Sequence, residues 1–331
     1  MNGKGFRITA SLVAGFLPVC LLSSCALLRP SAGIEKIVLG ENPEKLPVYL
    51  MTLRNGGAEV SISNLGARIC SLKVPDRSGK LRELLRVADN AGTKSKNSIC
   101  GMLTAYPPEA RKSSLLAEYV WRMEPFRNDE EVGVRMSRRP RRYGRDKLGP
   151  GYIELVYSLS KNRELKIEHS VRGVSPEMHH LCNPLLFNLS GPASDSVLDH
   201  QVAVISSIYC PPDSARIAVK DSPYDLRHPE LIGRQIERMG NEGGLKGRWM
   251  TGNPEAEINL AASLYNPENK IYMEVFTNSD LLEVDTIDTA RLAGEEPNSS
   301  ITFIPVSSAG RNGSSPDGLQ RSKTVYRFST I

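Results

Sequence analysis

Apolar and polar residues alternate with a period of two over several short stretches of this chain. Ala58-Glu59-Val60-Ser61-Ile62-Ser63 follows that rhythm, and Arg68-Ile69-Cys70-Ser71-Leu72-Lys73-Val74 repeats it before the turn cluster Pro75-Asp76-Arg77-Ser78-Gly79. A period of two puts alternate side chains on one face of an extended backbone, so each stretch predicts a strand with one buried face. Tyr152 to Leu159 and Glu164 to His169 flank Ser160-Lys161-Asn162-Arg163, which predicts a hairpin. Further strands are expected at Gln201 to Ile208, Ile258 to Tyr265, Ile271 to Thr277, Leu281 to Asp285, Ser300 to Ile304 and Lys323 to Phe328. No stretch keeps a helical period over three turns, and no internal repeat is visible. Many short strands with frequent turns predict an all-β domain over residues 45–331, a sandwich or a barrel.

The N-terminus breaks this pattern. Lys4 and Arg7 precede an apolar segment from Ile8 to Leu22, interrupted by Pro18, that ends in Leu22-Ser23-Ser24-Cys25. A positive flank, an apolar run too short to span comfortably and small residues before a cut site are the marks of a secretory signal. The ending resembles the bacterial lipobox, in which the cysteine thiol is acylated and the cysteine becomes the first residue after cleavage. The expectation is a lipoprotein signal peptide over residues 1–24, lipidation of Cys25, and a lipid-anchored linker over 25–44. An ordinary signal peptide that contains a cysteine is the plainer alternative. Ala26 follows the cysteine rather than Asp, which by analogy favours the outer membrane. The expected location is therefore the bacterial cell envelope, with membrane contact through the N-terminal lipid.

Composition narrows the function classes. Hydrophobic residues at 40% and charged residues at 24% are ordinary for a globular protein and exclude a disordered chain. The net charge of +5 falls to +3 once Lys4 and Arg7 leave with the signal, too small an excess to argue for nucleic acid. Aromatic residues at 6% also disfavour a stacking platform for single strands. Cys70, Cys100, Cys182 and Cys210 remain after Cys20 and Cys25 are set aside, which allows three disulfide pairings or a set of buried free thiols. None forms a Cys-x-x-Cys pair, and no nucleotide loop or metal spacing is present, so neither cofactor nor metal is expected. The chain is expected to be a monomer.

Several segments carry a family resemblance in a conserved order. Ser61 to Asp76 looks like the opening strand pair of the aldose 1-epimerase (galactose mutarotase) family. Phe187-Asn188-Leu189-Ser190-Gly191 is similar to the end of its Asn-His-Ser-Tyr-Phe-Asn-Leu segment. Val197-Leu198-Asp199-His200 and Tyr209-Cys210-Pro211-Pro212-Asp213 resemble the strand that follows. Ser222-Pro223-Tyr224-Asp225-Leu226-Arg227 matches the Thr-Pro-Phe-Asp-Phe-Arg stretch, and Thr324 to Phe328 resembles the closing strand. The resemblance implies a large antiparallel β-supersandwich, galactose mutarotase-like, with an open sugar-binding groove.

It also implies chemistry that this chain does not supply at the matching positions. Mutarotation needs a base for the anomeric hydroxyl proton and an acid for the ring oxygen. The family uses a glutamate and a histidine, with an aspartate holding sugar hydroxyls. The acid histidine falls on Pro184 in Asn183-Pro184-Leu185-Leu186-Phe187-Asn188. The sugar-binding aspartate falls on Lys246, and the base glutamate on or beside Ile304. No catalytic residue is therefore assigned. Candidate groove residues are Asn183, Asn188, Lys246, His180, Glu295 and Glu296.

Two relocated pairs could supply the missing groups. If a strand ran through His180 and Pro184, the four-residue offset would leave His180 roughly 13 Å away, beyond hydrogen-bond reach. Glu295 and Glu296 read as a solvated turn. His200 and Asp199 match structural residues of the family. The basic run from Arg135 to Lys147 sits at a predicted hairpin tip, either solvated or in contact with an anionic surface. These readings predict an exported, lipid-anchored pseudoenzyme that binds carbohydrate or an envelope partner. The alternatives are a divergent aldose 1-epimerase acting on hexoses with relocated acid and base, and a structural envelope protein.

Overall fold

Where apolar residues alternate strictly, the backbone is extended. The structure, a computed structural model, describes residues 32–86, 100–105, 116–137, 151–174, 178–212, 214–240, 243–252, 257–287, 296–307 and 318–331. A first sheet contains β1 (Gly33–Glu41), β2 (Pro47–Asn55), β3 (Ala58–Ser63), β4 (Arg68–Pro75) and β5 (Leu81–Glu83), ordered as in the sequence. A short strand, β6 (Thr104–Ala105), follows. Next come β7 (Arg122–Arg127), β8 (Glu131–Ser137), β9 (Tyr152–Ser160) and β10 (Glu164–Arg172), a meander whose β9–β10 pair is the expected hairpin. The strand β11 (Leu181–Cys182) pairs with β6. The remaining elements are β12 (Gln201–Val204), β13 (Ile208–Tyr209), β14 (Ile217–Ala218), β15 (Glu230–Leu231), the helix α1 (Ile232–Met239), β16 (Lys246–Met250), β17 (Asn259–Tyr265), β18 (Ile271–Thr277), β19 (Leu281–Asp285), β20 (Thr302–Val306) and β21 (Gln320–Thr330).

A nine-stranded antiparallel sheet, ordered β15-β12-β17-β18-β21-β10-β9-β8-β7, is the centre of the molecule. The first sheet packs on it through β2 and β3 against β8 and β9. A second five-stranded sheet, β14-β13-β16-β19-β20, lies over β21, where Tyr326 OH donates to the Phe303 carbonyl at 3.3 Å. Trp121, Trp249, Tyr157, Tyr326, Phe187 and Phe303 are the largest buried side chains. Each contributes roughly 2–3 kcal/mol by leaving water, which is what holds the layers together. All of this matches the antiparallel sandwich expected from the sequence.

Three boundaries differ from the pattern-based reading. The segment assigned to a linker, 25–44, contains β1, which pairs along its length with β2. Its rhythm is not visible because most of the strand is exposed on both faces, so backbone pairing rather than burial defines it. The stretch Gln201 to Ile208 divides into β12 and β13 because the Ser206 hydroxyl bonds both the N–H and the carbonyl of Ile208 and bends the chain. The strand expected from Ser300 starts at Thr302, since Ile301 is engaged in a separate two-bond bridge with Phe187.

Candidate functional site

Along β10 the buried face carries Leu165, Ile167, His169 and Val171, paired across β21 with Tyr326, Thr324, Ser322 and Gln320. His169 is the polar exception in that row. Its Nε2 lies 3.1 Å from Asn183 Oδ1, and its Nδ1 lies 3.1 Å from Ser322 Oγ. An amide oxygen only accepts, so these partners assign the ring proton to Nε2 and leave Nδ1 to accept from Ser322. The Tyr157 hydroxyl is 3.1 Å from the same Asn183 oxygen and 3.0 Å from the Ala67 carbonyl. Asn183 Nδ2 in turn donates to the Gly101 carbonyl at 3.0 Å. Burial pushes the His169 imidazole down to about 4, only partly offset by the bond to Asn183, and pushes the Tyr157 hydroxyl up. Both groups are therefore neutral at pH 7 and serve as hydrogen-bonding ties.

Gly101 fixes where this network sits. It has φ +68°, and a Cβ there would lie 2.1 Å from the Ile69 carbonyl oxygen. Its N–H donates to the Pro184 carbonyl at 2.7 Å, and its own carbonyl accepts from Ile69 N at 2.9 Å. The chain can approach this closely only without a side chain.

Beside the network is a hollow of about 20 Å³, bordered by His169, Cys182, Asn183, Ser279, Pro305 and Thr324 among others. A second, of about 10 Å³, lies towards His179 and Gln320 and shares His169, Leu181 and Ser322. Volumes of this order suit a bound water with polar neighbours, whereas ligand pockets run to about 300 Å³ or more.

The second five-stranded sheet carries a ladder of charge. Lys246 stands opposite Asp285 across β16 and β19, with Nζ 3.8 Å from Oδ2. Arg248 stands opposite Glu283, with Nε 2.8 Å from Oε2. In each pair the carboxylate is buried and the cation half-exposed. Ile304 is the β20 partner of Glu283, so Arg248, Glu283 and Ile304 form one row on one face. Ile304 itself packs with Cys182, Val306 and Leu281 in an apolar cluster. Glu283 was not singled out from the sequence. The available signal was two carboxylates spaced by two in the apolar strand Leu281 to Asp285, matched by two cations at the same spacing in Lys246 to Arg248.

The other positions fall as follows. Pro184 is buried. Asn183 borders the larger hollow, with its amide already committed. Asn188, expected in the groove, is a fully buried loop clamp: Nδ2 donates to the Ser194 and Ser299 carbonyls at 3.0 and 2.9 Å, and Oδ1 accepts from Ser190 N. His179 and His180 lie in a bend before β11 rather than on a strand, so the strand-offset argument does not apply to them. His179 Nε2 donates to the Val174 carbonyl at 3.3 Å. His180 is half-buried, and that burial lowers its pKa, as does His179, with Asp280 opposing both. Glu296 is exposed in a turn where its carbonyl accepts from Ser299. His200 is buried and accepts from Leu189 N at 3.1 Å, as a structural residue would. The four cysteines Cys70, Cys100, Cys182 and Cys210 form no disulfide with one another. Cys25, Glu295 and the basic run beyond Ser137 lie outside the described residues. Among the described residues no three His, Cys, Asp or Glu side chains come together as a metal site would need.

This arrangement has known relatives. The family model for aldose 1-epimerase matches residues 49–107 and 110–327, most of the chain. The chain belongs to the aldose 1-epimerase family. It is 24% identical over 238 residues to galactose mutarotase of Rattus norvegicus, covering 62% of this chain and 68% of that protein. The Mus musculus galactose mutarotase aligns to the same extent. Among solved structures, the galactose 1-epimerase of Lactobacillus acidophilus superposes with a TM-score of 0.65 at 16% identity, over 91% of this chain and 99% of that one. A GalM/aldose epimerase homologue from C. elegans gives 0.64 at 16% identity, over 91% and 100%. Ile304, on or beside which the sequence resemblance puts the base, shares an apolar cluster with Cys182, two residues before Pro184.

Proposed function

We propose that this aldose 1-epimerase family member is a non-catalytic, lipid-anchored protein of the cell envelope that binds carbohydrate or an envelope partner. The observation that carries the reading is the apolar cluster of Cys182, Ile304, Val306 and Leu281 around the matched base position. A carboxylate general base needs a hydrogen-bond path to the sugar hydroxyl, and an isoleucine packed among apolar neighbours provides none. Pro184 has no titratable group for the acid role, and Lys246 already faces Asp285. The lipid anchor rests on the Leu22-Ser23-Ser24-Cys25 box.

The test is a polarimetric mutarotation assay on the purified protein with glucose and galactose. The expected rate is that of buffer alone. A second reading, a divergent epimerase, draws on Glu283 beside Ile304 and on His180 near Asp280. Acceleration that disappears in Glu283→Gln or His180→Gln would establish that reading and end the first. The anchor is tested separately by palmitate incorporation that is lost in Cys25→Ala.

A further inference from the structure

Single exposed apolar residues are normal on a protein surface, and contiguous ones are not. Leu81, Leu198, Ile205 and Ile331 are exposed singly, but Ile37, Val38 and Leu39 follow one another on β1 with 46%, 68% and 36% of their surface exposed. Ile37 and Val38 point to opposite faces of the strand, so the apolar surface wraps around it. The strand is the outer member of its sheet, with β2 on one side and, among the described residues, no strand on the other. Pairing jumps from Val38–Tyr49 to Gly40–Val48, which makes Leu39 the extra residue of a bulge. Sheet edges are ordinarily guarded by charge, proline or brevity. The stretch Ile37 to Leu39 has no charge and no proline, and the bulge at Leu39 is its one guard.

We propose that the Ile37-Val38-Leu39 edge rests in the interfacial layer of a lipid bilayer and fixes the orientation of the domain on it. The proposal rests on the lipid-anchor reading of Cys25. Seven residues lie between Cys25 and Gly33, eight steps of chain that span at most about 28 Å when fully extended. Val38 lies five residues further on, about 17 Å along the strand. An anchored bilayer is thus always within reach, and a tether turns a weak apolar contact into an intramolecular one at high effective concentration. Charge argues for an apolar contact. Around the patch Glu35, Glu41 and Glu44 are balanced by Lys36, Lys45 and Arg54, with Glu35 held by Arg54 at 2.8 Å and Glu41 by Lys45 at 3.8 Å. Docking is therefore indifferent to the anionic lipid fraction and to salt, unlike that of a polybasic segment.

The experiment uses the full chain, purified from membranes and reconstituted into phosphatidylcholine and phosphatidylethanolamine vesicles with or without dibrominated acyl chains. Trp121 and Trp249 are 2% and 0% exposed, so brominated lipid leaves the background emission untouched. Val38→Trp places an indole at an open position. The expected result is a blue-shifted indole that loses most of its added emission in brominated vesicles, equally at low and high salt. Added emission unaffected by bromine overturns the proposal. A blue shift that grows with protein concentration and ignores bromine also overturns it, in favour of a second copy of this chain. Palmitate incorporation on the same preparation tests the anchor independently. Its absence removes the anchor, while quenching at position 38 alone decides the membrane contact.

Discussion

Lowering the pH from 7.5 to 5 perturbs His169 in a way that can be worked out from its surroundings. The side chain is 7% exposed, bonded to Asn183 and Ser322, and its imidazole is pushed from 6.5 down to about 4 by burial. Above 6.5 the ring is neutral in both folded and unfolded chains, so it contributes its full stability there. As the pH falls through 6.5 the unfolded chain takes up a proton that the folded chain refuses until about 4, and stability is lost across that window. At pH 5 the loss from this one group is about 2 kcal/mol, approaching about 3 kcal/mol at pH 4. The assay is urea unfolding of the parent and His169→Gln at a series of pH values. The variant is less stable at pH 7.5, because the fit to Asn183 and Ser322 is disturbed, but its slope of stability against pH between 7.5 and 5 is shallower by about 2 kcal/mol. Parallel slopes for the two proteins would refute the burial of a neutral imidazole at this position. His200, also pushed down to about 4 by burial, adds a similar term that both proteins share.

Gly101→Ala is expected to cost about 2–4 kcal/mol, since φ +68° and the Ile69 carbonyl at 2.1 Å both oppose a Cβ, and thermal unfolding reads this directly. Asn188→Ala leaves the buried Ser194 and Ser299 carbonyls without their donor and is expected to cost about 2 kcal/mol in urea unfolding. Ile304→Glu places a carboxyl in the Cys182, Val306 and Leu281 cluster; the loss relative to the parent is expected to reach about 3 kcal/mol at pH 8 and to shrink at pH 5, where the carboxyl is more easily protonated. An equal penalty at both pH values would mean that the new side chain reaches water.

Legibility in the sequence tracked burial on one face. Ala58 to Ser63, Ile271 to Thr277 and Leu281 to Asp285 appear with their expected limits because a strict apolar face leaves one register open to them. β1 escaped because a strand wet on both faces has no apolar rhythm. The resemblance pointed to Pro184, Lys246 and Ile304, but sequence did not reveal what occupies the space around them. Cys182 and Ile304 are far apart in sequence, and only the tertiary packing of β11 and β20 brings them into one cluster. Glu283 became a site neighbour through the same β19–β20 register. Asn183 and Asn188 sit in one motif, and residue type does not reveal that one amide ties down a hollow while the other closes a loop.

The four thiols held outside any disulfide set how this domain tolerates an oxidant. Cys100 and Cys182 are enclosed, and burial holds the Cys70 thiol up at about 11. A thiol at that value is ionised in roughly one molecule in ten thousand at pH 7, and the thiolate is the species that attacks a disulfide. Burial thus slows oxidation at Cys70, Cys100 and Cys182 and leaves the half-buried Cys210 as the more accessible thiol. Among the described residues no disulfide ties the fold together, so a reductant is expected to leave it intact.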